Sequence, residues 1–335
     1  MAVTAKFLAE KLHLSQTAVS MALRNKPGVS TETRQLVLKT AEQYGYDFSR
    51  LAPESTLTGS IYVILYKTSN AILSYTPIFD EYIEGVRRVA EKEKLHVKLL
   101  QIWEKSDDLE RSLEEIRGSD CIGIVLVGTE ITAAVCRRFT SLTMPVVLLD
   151  TYLEDVSCDS VLINNETGAY KATDYLISRA KSQPGYIRSS YRIPNFEERL
   201  VGYKKAIRAN GMSVSRSVMH ELAPSFDGAF ADMMQIIQSK EPLAQAYFCE
   251  NDILAISTIK ALKASGFRVP EDIAVIGFDN IQEARIIDPS LTTMDVPRQF
   301  LGESAIRQLL FRIQNRVPAS AKIAITPVLV KRFST

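Results

Sequence analysis

Apolar residues recur at helical spacing three times near the start of the chain: Phe7, Leu8 and Leu12, then Ala18, Val19, Ala22 and Leu23, then Leu36, Val37, Ala41 and Tyr44. The spacing predicts three short helices over 4–12, 15–24 and 30–44. Ser15 and Ser30 stand where N-caps belong, Asn25-Lys26-Pro27-Gly28 breaks the chain after the second helix, and Gly45 suits the end of the third. A polar stretch with Pro53, Ser55, Thr56, Thr58 and Gly59 then reads as a connector.

From Ser60 the pattern changes to short apolar runs alternating with amphipathic helical stretches. Ser60–Tyr66, Val97–Trp103, Cys121–Gly128 and Val146–Asp150 read as strands, separated by helices over 77–94, 107–117 and 132–142. The same grammar repeats through Ser160–Asn165, Gly185–Arg188, Ala246–Glu250 and Ile273–Phe278. Strand–helix alternation predicts an α/β fold with parallel sheets covered by helices on both faces. Two similarly built halves of roughly 120 to 140 residues each fit the usual domain size.

Composition narrows the function classes. The 335 residues carry 40 Lys and Arg against 39 Asp and Glu, so attraction to nucleic acid must be local. No run approaches the ~18–20 apolar residues of a membrane span and no signal peptide is evident, so a cytoplasmic chain without membrane contact is expected. Cys121, Cys136, Cys158 and Cys249 form no CxxC pair, and His13, His96 and His220 have no ligand spacing; neither metal nor other cofactor is expected. GxSxG, GxxxxGK[ST] and GxGxxG are absent, which argues against an enzyme.

The first 58 residues hold seven basic and five acidic side chains, and the first 26 hold four basic against one acidic. Two short helices joined through Leu12-His13-Leu14-Ser15, the second opening with small polar residues, suit presentation of a helix to the major groove. Gln16 can pair with an adenine edge, Thr17 can donate or accept, and Ala18 can touch a thymine methyl. A plain three-helix bundle fits the periodicity equally well.

Val3-Thr4, Leu8-Ala9-Glu10, Leu14-Ser15-Gln16-Thr17-Ala18-Val19-Ser20 and Val29-Ser30-Thr31-Glu32-Thr33-Arg34 together resemble the headpiece of the lactose repressor/galactose repressor (LacI/GalR) family. Asn251-Asp252-Ile253-Leu254-Ala255, Val269 to Asn280, Ser290-Leu291-Thr292-Thr293 and Pro327 to Arg332 continue the resemblance over essentially the whole chain. It implies a helix-turn-helix domain over 1–46, a hinge over 47–59 and a core over 60–335. The core would comprise two doubly wound parallel-sheet subdomains of periplasmic-binding-protein type: 60–161 plus 293–322, and 162–292 plus 323–335. The implied function is that of a homodimeric repressor of a pseudo-palindromic double-stranded operator, controlled by a small sugar-like effector. A solute-binding protein sharing the same core is the alternative.

The DNA-contacting residues implied are Thr4, Ser15, Gln16, Thr17, Ala18, Ser20, Met21, Arg24, Ser30 and Leu57. Two departures from the family stand out. Met21 replaces a polar reader in the recognition helix, and Ser55 stands where the family has a leucine that wedges into the minor groove. Leu57 or Leu51 is the available substitute, with Pro53 beside them.

Ligands of open α/β sheets sit beyond the carboxyl ends of the strands. That rule selects the loop from Tyr66 to Phe79, Gly128-Thr129-Glu130, Asp150, Arg188, Glu250-Asn251 and Asp279. By resemblance, Arg199, Asn251 and Asp279 hydrogen-bond the effector, with Asp150 nearby and Tyr75, Phe79 or Phe226 as stacking candidates. Asn251 or Asp252 can instead cap the following helix, Asp279 can form a turn, and Arg199 can pair with a neighbouring glutamate. Arg188 stands where the family has glycine. Its planar fork suits a carboxylate or phosphate, so an anionic effector held by Arg188 and Arg199 is one expectation. Pairing of Arg188 with Glu130, Asp150 or another acid is the other.

Overall fold

The computed structural model describes residues 3–23, 28–48, 57–68, 78–104, 108–315 and 317–335. They fall into two units, Met1–Leu57 and Thr58–Thr335. In the first, α1 (Ala5–Leu12), α2 (Gln16–Leu23) and α3 (Thr31–Gln43) enclose a core that includes Leu8, Val19, Ala22, Val37 and Ala41. Each helix starts at a hydroxyl cap. Thr4 Oγ1 accepts from Phe7 N at 3.2 Å, Ser15 Oγ from Ala18 N at 3.1 Å and Ser30 Oγ from Thr33 N at 3.1 Å. His13, in the left-handed region at φ 52°, ends α1 and turns the chain into α2. Gly45 at φ 70° ends α3, a conformation glycine adopts without strain.

The second unit opens with β1 (Ser60–Lys67), α4 (Ile78–Lys92), β2 (His96–Trp103), α5 (Asp108–Arg117), β3 (Cys121–Val127), α6 (Ala133–Thr140), β4 (Val146–Leu149) and β5 (Asp159–Ile163). After α7 (Asn165–Ala180) come β6 (Gly185–Ser189), α8 (Pro194–Ala209), β7 (Met219–Leu222), α9 (Phe226–Gln238), β8 (Ala246–Cys249), α10 (Asp252–Ala264) and β9 (Ala274–Ile276). The chain ends with α11 (Glu283–Ile286), β10 (Thr293–Asp295), α12 (Arg298–Gln314), β11 (Lys322–Ile325) and β12 (Val328–Val330).

The strands form two parallel sheets, as alternation with helices requires. One has the order β11-β5-β4-β3-β1-β2, the other β7-β6-β8-β9. A short antiparallel pair, β10-β12, lies alongside β9 through an Ile276–Thr292 bridge. Three sequence expectations need correction. The run from Ser160 opens no second series, because β5 pairs with β4 and extends the first sheet. β11 likewise pairs with β5, so the stretch from 323 to 325 belongs to the first lobe rather than the second. The crossings therefore fall after Ile163, near Asp295 and after Ile325. The third is β7, an edge strand of only four residues that the hydrophobic pattern did not reveal.

One close contact fixes the first lobe. A side chain on Gly302 of α12 would clash with the Tyr82 carbonyl of α4, and one on Gly85 would clash with the Gln299 carbonyl of α12. Only glycine lets these two backbones approach so closely, and α4 carries Phe79 and Tyr82 to the top of the sheet.

Candidate functional site

A narrow cleft between the two lobes of the second unit holds about 630 Å³ of empty space, its mouth included. The first lobe supplies Phe79 and Tyr82 from α4, Thr129 after β3 and Asp150 after β4. The second supplies Asn195, Phe196 and Arg199 from α8, Pro224, Asn251 after β8, and Asp279 after β9. Arg298, at the start of α12 where the chain has just crossed between lobes, closes the base.

Arg199 organises the second lobe's wall. Only 3% exposed, it lies with its guanidinium carbon 3.8 Å from the centre of the Phe278 ring. Nε donates to Asn165 Oδ1 at 2.9 Å, Nη1 to the Glu250 carbonyl at 2.5 Å and Nη2 to Asp279 Oδ1 at 3.3 Å. Arg298 Nη2 donates to the Asp279 carbonyl at 2.7 Å and lies 3.7 Å from Asp279 Oδ1. Asp279 is thus charge-balanced by two arginines. Asn251 caps α10, its Oδ1 accepting from Leu254 N at 2.9 Å, and still lines the cleft. The next residue, Asp252, is fully buried and accepts from Ile281 N and Thr293 Oγ1. Burial, reinforced by the Asp279 charge, pushes its pKa up to about 8.

Asp150 is held differently. Thr129 Oγ1 donates to one carboxylate oxygen at 2.5 Å, and Asn195 Nδ2, from the other lobe, donates to the second at 3.2 Å. Burial raises its pKa, opposed by the Thr129 hydrogen bond and the Arg199 charge. Asp150 at φ 72° and Asp279 at φ 114° are both non-glycine residues in a disfavoured backbone region. Such positions cost about 1–3 kcal/mol each and cluster where function requires them. A second cross-cleft contact joins Thr68 Oγ1 to Tyr191 OH at 3.0 Å, with Thr68 anchored on Glu130 Oε2.

Of the effector residues read from sequence, Phe79, Asp150, Arg199, Asn251 and Asp279 line this cleft. Arg188 does not. It is the register partner of Glu221 on β7, and adjacent residues on parallel strands share a face, so the two form an ion pair at 2.5 Å. Phe226 is also displaced: it packs on the second lobe's core near Lys260, and its neighbour Pro224 reaches the cleft instead. Tyr75 lies outside the described residues. Tyr82, Asn195, Phe196 and Arg298 were not singled out from sequence. Asn195 and Phe196 precede Arg199 on the first turns of α8, so helical spacing from Arg199 was the signal that could have found them.

In the first unit, Gln16 and Thr17 are exposed on the opening turn of α2, while Ala18, Ser20 and Met21 are partly covered. The Thr4, Ser15 and Ser30 hydroxyls serve as helix caps, which orients three helix N-termini with their donor N–H groups. Arg24, Leu51, Pro53 and Ser55 lie outside the described residues. Leu57 is half-buried and outside any helix.

A family model described as a periplasmic binding protein-like domain matches residues 173–335. Along nearly its full length the chain is similar to the ribose operon repressor of Haemophilus influenzae, at 26% identity over 99% of this chain and 98% of the relative. It is 29% identical to the HTH-type transcriptional repressor PurR of Vibrio atlanticus, covering 98% and 97% of the two chains. For CytR of Escherichia coli the figures are 27%, 100% and 96%. Among solved structures, the regulator CelR in complex with cellobiose superposes with a TM-score of 0.74 at 22% identity, covering 99% of this chain and 100% of that one. The lac repressor dimer bound to operator and the anti-inducer ONPF gives 0.69 at 20% identity, covering 100% and 99%. The three-helix unit, the two-lobed core and the full-length similarity to curated transcriptional repressors agree with the resemblance of the sequence to the LacI/GalR family.

Proposed function

We propose that this chain acts in the cytoplasm as a homodimeric, sequence-specific repressor whose operator affinity is set by a neutral, hydroxyl-rich effector bound in the interlobe cleft. Convergence of Asp150, Asn251, Asp279 and Arg199 from both lobes on one cleft, with Phe79 and Phe196 in its walls, is the observation that carries the reading. Buried carboxylates and amides suit a ligand rich in hydroxyl donors, and the aromatic faces suit the apolar face of a sugar ring.

The charge arrangement separates neutral from anionic effectors. Arg199 has its guanidinium committed to Asn165, the Glu250 carbonyl and Asp279. Arg298 is engaged with Asp279, and Arg188 is spent on Glu221. A phosphate or carboxylate would have to displace these partners and would also meet Asp150. Cellobiose and ribose, the ligands named for two of the similar structures, are likewise uncharged.

Gln16 and Thr17 are the base readers in this reading, with Ala18 and Met21 giving apolar contact. Two-fold symmetry of a dimer would be mirrored in two half-sites. By linkage, an effector that alters operator affinity must have its own affinity altered by the same factor. Selection of binding sites from random duplexes, followed by anisotropy with neutral sugars, nucleosides and sugar phosphates, tests all of this. A palindromic winner released or tightened by a neutral sugar is expected; failure to enrich any sequence would defeat the DNA-binding reading, and a response to phosphorylated sugars alone would defeat the neutral-effector reading.

A further inference from the structure

The lobes of the second unit meet through hydrogen bonds at different depths of the cleft. Arg298 bonds the Asp279 carbonyl beside the crossing near Asp295, and Asn195 bonds Asp150 at the end of β4, next to β5. Thr68 and Tyr191 meet elsewhere. Thr68 follows β1, separated from β5 and β11 by β3 and β4; Tyr191 follows β6, separated from β9 by β8. The chain crosses between lobes at β5, β10 and β11, so this pair spans the opposite side of the cleft, its mouth. Both residues are half-buried and stand outside the lining of the cavity.

The pair is held from both lobes. Thr68 Oγ1 gives its one proton to Glu130 Oε2 at 3.0 Å, so the Tyr191 phenol is the donor in its 3.0 Å contact with Thr68. The turn that carries Tyr191 is anchored on Glu250, which is fully buried. Its carboxylate accepts from Ser189 N at 2.7 Å, Tyr186 OH at 2.8 Å and Arg192 Nη1 at 3.2 Å, and Tyr191 N donates to Ser189 Oγ at 3.1 Å. Glu250 in turn offers its carbonyl to Arg199 in the cavity wall.

We propose that Tyr191 determines effector size: its hydrogen bond to Thr68 bars the mouth of the cleft and limits the effector to a single sugar ring. This rests on the cleft being the site of a neutral, hydroxyl-rich effector. With the two hydroxyl oxygens 3.0 Å apart, no ligand atom passes between them. A one-ring compound held among Asp150, Asn251 and Asp279 lies wholly behind the bar. Arg298 closes the base, so a second ring attached to that compound has only the mouth to project through, and it breaks the bar. The extended compound then forfeits the Tyr191 hydrogen bond and the exclusion of water behind it, and a site discriminates by such differences in what each ligand leaves unpaired.

The experiment titrates the full-length protein with glucose, galactose and ribose, and with cellobiose, lactose and adenosine, in which one of those rings carries a further ring system. One single-ring compound should bind, and its extended counterpart should bind about tenfold more weakly or worse. Tyr191→Ala should bring the two within about threefold of each other. Tyr191→Phe, which keeps the ring and loses the donor, should speed dissociation of the single-ring compound by ~2–10-fold, and Thr68→Val, on the other lobe, should do the same. A double-label distance between α5 and α9, read without ligand, should lengthen and broaden in Tyr191→Ala. An extended compound that binds the unaltered protein as tightly as its single-ring counterpart, or a gap that Tyr191→Ala leaves unchanged, overturns the size limit while the sugar reading of the cleft stands. Binding of none of the six defeats that reading and the size limit with it; an unchanged interlobe distance in Tyr191→Ala overturns the bar itself.

Discussion

Arg199 and Asp279 stand 3.3 Å apart on the same wall of the cleft, and each has a further tie: Arg199 donates to the Glu250 carbonyl, and the Asp279 carbonyl accepts from the Arg298 side chain. The pair therefore links α8, the end of β8 and the crossing into α12 as one unit. A ligand contacting either residue acts on all three elements.

Replacing Arg199 by lysine keeps the charge and loses the fork. The ammonium cannot serve Asn165, the Glu250 carbonyl and Asp279 together, so affinity for the responding sugar should fall at least tenfold in calorimetric titration. Arg199→Ala should in addition lower unfolding stability by about 3–5 kcal/mol, because it strands a buried acceptor set. Unchanged affinity in Arg199→Lys would remove this residue from the site.

Arg188→Ala should leave effector affinity within about twofold of the parent, since the side chain pairs with Glu221 away from the cleft. Exposed pairs contribute about 0–1 kcal/mol, so stability should barely move. A large loss of affinity would restore the anion-binding role.

Asp252 gives a pH signature. Its pKa rises from 3.8 to about 8 on folding, so the folded protein holds a proton that the unfolded chain has released between those values. Stability contributed by this group accordingly falls as pH rises through that window. The stability of the parent relative to Asp252→Asn, read from urea midpoints at pH 5, 6.5 and 8, should decline with rising pH. A difference independent of pH would show that Asp252 does not titrate in this range.

Gly302→Ala places a methyl group against the Tyr82 carbonyl. Separation of α4 and α12 should cost about 1–3 kcal/mol, the usual range for overpacking. Because Tyr82 and Phe79 line the cleft, effector affinity should fall together with the denaturation midpoint.

Gln16→Ala should weaken the selected operator by about 1–3 kcal/mol and relax the base preference at one position of each half-site. Anisotropy against single-base variants reads both effects. Uniform weakening across all variants would instead mark Gln16 as a backbone contact.

Much of the architecture was legible because local patterns and fold agree. The three helices of the headpiece appear within a residue or two of their expected bounds, and the Ser15 and Ser30 caps are where small polar residues precede apolar periodicity. What escaped was non-local. Nothing in Lys322-Ile323-Ala324-Ile325 says which lobe it joins; only pairing with β5 decides it. The two readings of Arg188, anion holder or partner of an acid, stayed open for a related reason, since its partner Glu221 lies on a short, half-exposed strand with no hydrophobic signature. Family resemblance pointed to Arg199, Asn251 and Asp279, whereas Tyr82 and Arg298 reach the cleft only because α4 and α12 pack together through Gly85 and Gly302.

The pairing of β11 with β5 also bears on how the chain is made. The first sheet draws five of its strands from before Asn164 and its sixth from 322–325, while Ser334 hydrogen-bonds the Val275 backbone in the second lobe. Neither lobe has all its partners until residues 322–334 have left the ribosome. Folding of the core must then wait for them, with long loops closed late, and such topologies fold slowly. A nonsense codon between residues 164 and 322 leaves the β5 edge exposed, a surface prone to aggregation. Truncated copies of this regulator should therefore be cleared or precipitate rather than persist as partial competitors for DNA.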